Sequence, residues 1–255
     1  MNRTNHTCNC FGLQVVATNL KSAIYTTERN IEEWRGRYVT FVNVHAVVKA
    51  TEDTEYQLAQ TSAVCNFADG RPVVSLQRKK GYIEAGRVAG TDFMEEMLKL
   101  SDASENFRHF FYGSNKETLE QLAERVAERY PSASVVGCLA PAYIDEIRPD
   151  DFDEIFGKDI QAINDAAPDF VWIGLGAPKQ ELFMMYASGK INGLMLGVGA
   201  AFDFMSGKQK RAPKWMQAIG LEWFFRLLME PKRLFARYFD TNIKFIRLCL
   251  NHKGQ

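Results

Sequence analysis

The run Ala167-Pro168-Asp169-Phe170-Val171-Trp172-Ile173-Gly174-Leu175-Gly176-Ala177-Pro178-Lys179-Gln180-Glu181 decides how the rest of the chain is read. A polar turn leads into four apolar residues, Phe170 to Ile173, that end in Gly-x-Gly. Pro, Lys, Gln and Glu follow, and then an apolar segment from Leu182 to Tyr186. This is the pattern of a buried strand, a tight glycine turn and a helix start. Pro178 suits a first helical turn, and backbone N–H groups freed at a helix start can hold a phosphate, with Lys179 and Gln180 turned toward the same ligand. An ordinary strand-to-helix junction carries the same pattern, because Gly-x-Gly alone is a weak signal.

On the C-terminal side, Leu194-Met195-Leu196-Gly197-Val198-Gly199-Ala200-Ala201-Phe202-Asp203 reads as another strand, ending in glycines and then an aspartate. On the N-terminal side, Phe156 to Ala167 is a helix. Arg108 to Tyr112 is a strand, Lys116 to Tyr130 a helix with Leu119, Leu122, Ala123, Val126 and Ala127 on one stripe, and Val135 to Gly137 the next strand. Strand, helix, strand at this spacing is the right-handed crossover of a nucleotide-binding sheet. Earlier still, Phe11 to Val16 reads as a first strand and Leu20 to Trp34 as a helix. Tyr38 to Val44 is apolar on both faces, as in a parallel sheet, and Ala46 to Leu58 continues as a helix. The fold class is α/β: a Rossmann-like parallel sheet with helices on both faces over residues 1–206, then a basic helical appendage over 207–255.

With 255 residues and 46% hydrophobic content, the chain can bury a good core and is long enough to be an enzyme. Five scattered cysteines, with no second pair spaced for zinc beside Cys8-x-Cys10, fit a reducing compartment. The lead from Met1 to Cys10 is too polar for a signal peptide, and no apolar run reaches the length of a membrane span, so a cytoplasmic protein is expected. The zero net charge hides an asymmetry. From Gly207 onward, eleven Lys/Arg face only Glu222, Glu230 and Asp240, which leaves +8 there and −8 on the rest. Such a surface meets something anionic. Its cations alternate with Trp215, Trp223, Phe224, Phe225, Tyr238 and Phe239 in helical patterns. Single-stranded nucleic acid, a packed helical subdomain and an anionic bilayer all fit that composition.

Functional side chains in open α/β sheets stand at the carboxyl ends of strands. Asn43 and His45 end one strand. Asp69 follows Val64 to Ala68, with Gly70 and Pro72 turning the chain into a helix, and is either a catalytic carboxylate or a helix cap. Arg87, in a loop between Gly86 and Gly90, is a candidate phosphate ligand. Asp151-Phe152-Asp153 has the spacing of a metal-binding Asp-x-Asp, but it opens a helical pattern instead of ending a strand, so helix-start carboxylates are the better account. No metal site is expected. A dehydrogenase would want Gly-x-Gly-x-x-Gly after the first strand, and Leu13 to Leu20 contains no glycine.

Taken together, several blocks resemble the WecG/TagA/CpsF glycosyltransferase family. They are Asn43 after a strand, Ala68-Asp69-Gly70-Arg71-Pro72, Arg87 to Asp92, Gly174 to Glu181, Gly197 to Asp203, Arg211-Ala212-Pro213 with Trp215, and Glu222-Trp223 through Arg226 to Glu230-Pro231 and Arg233. They run in the family's order over nearly the whole chain. The Pro-Lys-Gln-Glu and Arg-Ala-Pro blocks together are specific.

The resemblance implies a bacterial, inverting, metal-independent transferase that needs no cofactor. It would move a sugar from a UDP-sugar donor to a polyprenyl-diphosphate-linked glycan acceptor, in teichoic acid, capsule or related polysaccharide synthesis. It implies Asp69 as general base, with Asn43, Arg87 and Gln180 as the matching polar residues. Asn43 and Gln180 would orient sugar hydroxyls, and Arg87 would neutralise phosphate charge. Gly70, Gly174, Gly176, Lys179, Glu181, Gly199, Asp203, Arg211, Arg226 and Arg233 are the expected substrate-binding set. The appendage is expected on the inner leaflet of the bacterial membrane, not on nucleic acid. Several members carry Thr-Pro-Asn where this chain has Phe41-Val42-Asn43, so Thr40, one place further back, has no assured role. A homo-oligomer, a dimer or trimer that buries part of the catalytic sheet, fits the resemblance.

Overall fold

A computed structural model describes residues 7–103 and 107–251, so the polar lead at 1–6 lies outside it. In chain order the elements are β1 (Thr7–Cys10), β2 (Leu13–Val16), α1 (Leu20–Trp34), β3 (Tyr38–Val42), α2 (Val44–Glu52), α3 (Thr54–Thr61), β4 (Cys65–Ala68) and α4 (Arg71–Lys79). Next come α5 (Gly90–Ala103), β5 (Arg108–Gly113), α6 (Lys116–Arg129), β6 (Ser134–Leu139), α7 (Phe152–Asp165), β7 (Phe170–Gly174), α8 (Lys179–Ala187), β8 (Leu194–Gly197) and α9 (Ala201–Met205). Three helices close the described chain: α10 (Lys214–Ile219), α11 (Glu222–Met229) and α12 (Pro231–Asn251).

The strands form one sheet in the order β1-β2-β4-β3-β8-β7-β5-β6, parallel except for the β1–β2 hairpin. Alternate residues of each strand serve opposite faces. Val39, Phe41, Phe170 and Trp172 pack with α1, α5, α6 and α9, whereas Tyr38, Val171 and Ile173 pack with α3, α7 and α8. Burial on both faces is why the central strands read as unbroken apolar runs, and the Rossmann-like expectation holds.

Where the elements differ from the sequence reading, a local contact accounts for it. The first strand is a hairpin, because Phe11 and Gly12 form a turn at φ 56° and 94°, and Phe11 packs edge-to-face on Phe245 of α12. The helix after β3 starts at Val44, capped by Asn43, and breaks at Asp53, whose carboxylate accepts from the Tyr56 N–H and restarts it as α3. Helix α7 begins at Phe152, since that ring is buried against Phe156 and Phe183. Asp151 and Asp153 therefore stand at a helix start, and Asp153 pairs with Lys190. Asp203 lies inside α9, past the end of the strand it was expected to follow.

The C-terminal helices pack back onto the sheet domain. Thr241 and Phe245 of α12 are buried, Phe245 among the side chains of α2 and β1, and Lys244 pairs with Glu52 at 2.8 Å.

Candidate active site

The chain leaves β8 into α9 on one face of the sheet, whereas the neighbouring strands β3 and β7 feed α2 and α8 on the other. Such a reversal opens a crevice at the strand's carboxyl end. Here that end is Gly197-Val198-Gly199-Ala200. Asn43 and Asp69 follow the adjacent strands β3 and β4.

Asp69 is held in the sheet's own register: its N–H donates to the Val42 carbonyl at 2.8 Å. Gly70 then turns the chain at φ 121°, a conformation side chains rarely adopt, so that Pro72 can open α4. A Cβ at Gly70 would lie 4.0 Å from the Asn43 Cβ, which places Asn43 beside this turn. The Asn43 Oδ1 accepts from the Ala46 N–H at 3.0 Å, so its amide NH₂ is the part left to face the edge. The segment carrying Arg87 is pinned alongside, with the Val88 N–H donating to the Ala68 carbonyl at 2.8 Å.

Arg87 reaches three carboxylates. Its Nη1 lies 2.8 Å from Glu222 Oε2, its Nη2 3.2 Å from Asp92 Oδ2, and its Nε 3.9 Å from Asp69 Oδ1. Arg211 binds the same two partners, 2.6 Å from Asp92 Oδ1 and 3.1 Å from Glu222 Oε1. Arg87, Asp92, Arg211 and Glu222 thus close a ring of alternating charge, and Asp69 stands at its edge. Burial pushes the Asp69 carboxyl up to about 6 against the pull of Arg87, and repulsion from Glu222 and Asp92 adds to the rise. Its side chain keeps 32% of its surface open to solvent, so the carboxylate is reachable. Arg226 of α11 adds a further positive field at Asp69 and lies over the Phe204 ring at 5.5 Å.

Gln180 and Glu181 are buried below the end of β8. The Gln180 Nε2 donates to Glu181 Oε1 at 2.8 Å and to the Gly197 carbonyl at 3.3 Å, while its Oε1 faces Gly199 with no partner. Burial pushes the Glu181 carboxyl up to about 7 against the hydrogen bond from Gln180. In the opening motif, the Gln180 N–H is bonded to the Gly176 carbonyl at 3.0 Å, and Lys179 Nζ donates to the Ile144 carbonyl beneath the Tyr143 ring. Gly174 ends β7 under Phe202, and Asp203 lies 4.0 Å from Lys208. The side chain of Arg233 lies outside the described residues. Thr40 is buried, its hydroxyl between Gln60 Oε1 at 2.8 Å and Asn66 Oδ1 at 2.5 Å.

The predicted residues thus form two groups along one sheet edge. Asn43, Asp69, Gly70, Arg87, Arg211 and Arg226 gather around β3 and β4. Gly174, Gly176, Lys179, Gln180, Glu181 and Gly199 gather around β7 and β8. Three strand spacings, roughly 14 Å, separate the ends of β4 and β7. That is the reach of an extended nucleotide sugar, longer than a single sugar ring. A groove of about 1090 Å³ between α6 and Met205 to Lys208 lies outside both groups and is lined by charges of both signs, Glu117, Glu124 and Glu128 with Arg125, Arg129 and Lys208. Sequence reasoning gave no role to Asp92 or Glu222. Each has one arginine near it in sequence, Arg87 for Asp92 and Arg211 for Glu222, but the cross pairs Arg87–Glu222 and Arg211–Asp92 join residues far apart in the chain, which no local spacing displays.

The chain is 30% identical over 220 residues to an N-acetylglucosaminyldiphosphoundecaprenol N-acetyl-beta-D-mannosaminyltransferase of Bacillus subtilis, covering 86% of this chain and 82% of that protein. It is 30% identical over 237 residues to the enzyme of the same name from Bacillus spizizenii, covering 92% and 86%. The family model described as glycosyl transferase WecG/TagA/CpsF matches residues 8–255. The chain belongs to the WecG/TagA/CpsF family of glycosyltransferases.

Proposed function

We propose that this protein transfers N-acetylmannosamine from its UDP-linked form to N-acetylglucosamine held on a polyprenyl diphosphate, by a single inverting displacement with Asp69 as base. The observation that carries this reading is the Asp69 carboxylate at the carboxyl end of β4, reachable from solvent and at the edge of the Arg87–Asp92–Arg211–Glu222 ring, its pKa raised above the ordinary carboxylate range. At neutral pH it is ionised yet keeps enough proton affinity to accept the acceptor hydroxyl's proton as that oxygen attacks the anomeric carbon. One displacement inverts that carbon. The departing diphosphate develops negative charge, which Arg226 and Lys179 offset together with the ring arginines. Asn43, with its NH₂ turned outward, donates to a sugar or phosphate oxygen. The choice of sugars rests on the names of the two Bacillus relatives.

The C-terminal helices supply a surface suited to the lipid acceptor. On α12, Phe235, Phe239, Ile246 and Leu250 are exposed and share one stripe, while Thr241 and Phe245 on another face are buried. Trp215, Trp223, Phe224, Leu228 and Met229 are exposed nearby. With the +8 charge of this segment, these residues favour an anionic bilayer. The exposed leucine, isoleucine and methionine of this surface, Leu228, Met229, Ile246 and Leu250, do nothing for base stacking, which weighs against nucleic acid. No described helix is long and apolar enough to cross a membrane.

A UDP-release assay over a panel of UDP-sugars, with a lipid-diphosphate N-acetylglucosamine acceptor, tests the reading. Release that depends on the acceptor and is fastest with UDP-N-acetylmannosamine is expected. No acceptor-dependent release from any donor defeats it.

A further inference from the structure

An arginine beside a carboxylate makes it a poor base, because the ion pair stabilises the ionised form. Arg87 is the cation nearest to Asp69 in the ring, yet the two do not form a hydrogen bond: 3.9 Å between Nε and Oδ1 is beyond that range. The guanidinium is held elsewhere. Glu222 takes Nη1 at 2.8 Å, and Asp92 takes Nη2 at 3.2 Å. Asp92 sits in the first turn of α5, whereas Glu222 sits in the first turn of α11 and also accepts from Arg211 Nε at 3.1 Å. The shortest contact on Arg87 thus comes from the C-terminal helices. Those helices meet the sheet domain at a second point, where the Arg71 side chain crosses Gly220 so closely that a Cβ there would lie 2.3 Å from the Arg71 Cδ.

We propose that Glu222 is a positioning residue for the base: by engaging Arg87 it holds that guanidinium at 3.9 Å from Asp69, beyond hydrogen-bonding range, so the carboxylate is only loosely paired and free to take a proton. The inference rests on reading Asp69 as the base. The charged groups facing Asp69 are Arg87 before α5, Asp92 on α5, and Glu222 and Arg226 on α11. His45 and Arg71 stand in the first turns of the flanking α2 and α4. Removing Glu222 takes away one negative charge and frees Arg87 to close on Asp69. Both changes lower the proton affinity of the base. Glu222 thereby contributes to the chemistry without touching the reacting atoms.

The test compares Glu222→Gln and Glu222→Asp in the full chain. It follows the pH dependence of kcat/KM for UDP release from UDP-N-acetylmannosamine, alongside protection of residues 207–251 from protease. In Glu222→Gln the acid limb is expected to move down by about one pH unit and the plateau rate to fall about tenfold, with protection unchanged. Glu222→Asp, which keeps the charge, is expected to hold the wild-type limb. A limb that stays in place in Glu222→Gln, one that moves only when protection is lost, or an equal shift in Glu222→Asp overturns the proposal. Asp69→Asn checks the underlying reading separately, because an inactive Asp69→Asn with an unmoved Glu222→Gln limb leaves the base in place and removes only the role of Glu222.

Discussion

Phe202 lies directly over Gly174: a Cβ built on that glycine would come within 2.5 Å of the ring's Cδ2. The second glycine-rich strand thus packs its following helix onto the last residue of β7, and the ring is itself buried in the core. Gly174→Ala is expected to cost roughly 1–3 kcal/mol through overpacking. Urea unfolding measures it, and Phe202→Leu in the same chain should recover part of the loss by vacating the space.

His109 gives the fold an acid limit. It is fully buried, its Nδ1 accepting from Trp172 Nε1 at 3.1 Å and its Nε2 2.7 Å from Ser101 Oγ, whose hydroxyl donates to the Met97 carbonyl at 2.9 Å. Burial pushes its pKa down to about 4. Because the folded value is below the ordinary one near 6.5, the neutral ring is the form that folds. Its contribution is intact above pH 6.5 and is lost as pH falls toward 4. Between pH 7 and 4.5 the wild type should lose about 2 kcal/mol more than His109→Gln, read as unfolding free energy at the two pH values.

Vesicle binding tests the open stripe of α12. Replacing Phe235 and Phe239, whose rings stack at 6.1 Å, with serine should weaken binding to anionic vesicles at least tenfold in a flotation assay. Turnover on a short-chain soluble acceptor should be preserved. Equal vesicle binding by the variant would show that this face does not meet lipid.

Turnover is expected to survive EDTA. The carboxylates around Asp69, namely Asp92 and Glu222, are each engaged by two arginines, which leaves no unpaired cluster to hold a divalent ion at the base. Loss of activity in chelator, restored by Mg²⁺, would contradict this.

The legible parts of the molecule were those set by local pattern. Two-sided burial of Tyr38 to Val42 and Phe170 to Ile173 gives unbroken apolar runs, so the parallel sheet and the strand-end positions of Asn43 and Asp69 could be read directly. Thr7 to Cys10 could not, because an edge strand of alternating polar residues depends on a partner across a turn made by Phe11 at positive φ. Arg87 was found as a cation in a glycine-flanked loop. Its engagement by Glu222 was hidden, since that contact forms only when α11 folds back across the sheet edge. Gln180 was read as pointing to a ligand, whereas its amide NH₂ is turned to Glu181 and the Gly197 carbonyl, a consequence of the helix starting beneath β8.

Asp69 also carries a stability cost that its removal should reveal. With a folded pKa of about 6, above the ordinary value of 3.8, its ionised form is disfavoured by folding. Its favourable contribution is complete below about pH 3.8 and lost as pH rises through 6. Asp69→Asn should therefore raise Tm at pH 7.5 and leave it little changed near pH 4, where a scan of both proteins decides the point.

The central claim is tested most directly by single-turnover UDP release from UDP-N-acetylmannosamine on the lipid-linked acceptor, comparing wild type with Asp69→Asn under conditions where both bind UDP equally. The account predicts a rate loss of at least about 10²-fold, the usual size of a general-base contribution. Equal rates in the two proteins would contradict it.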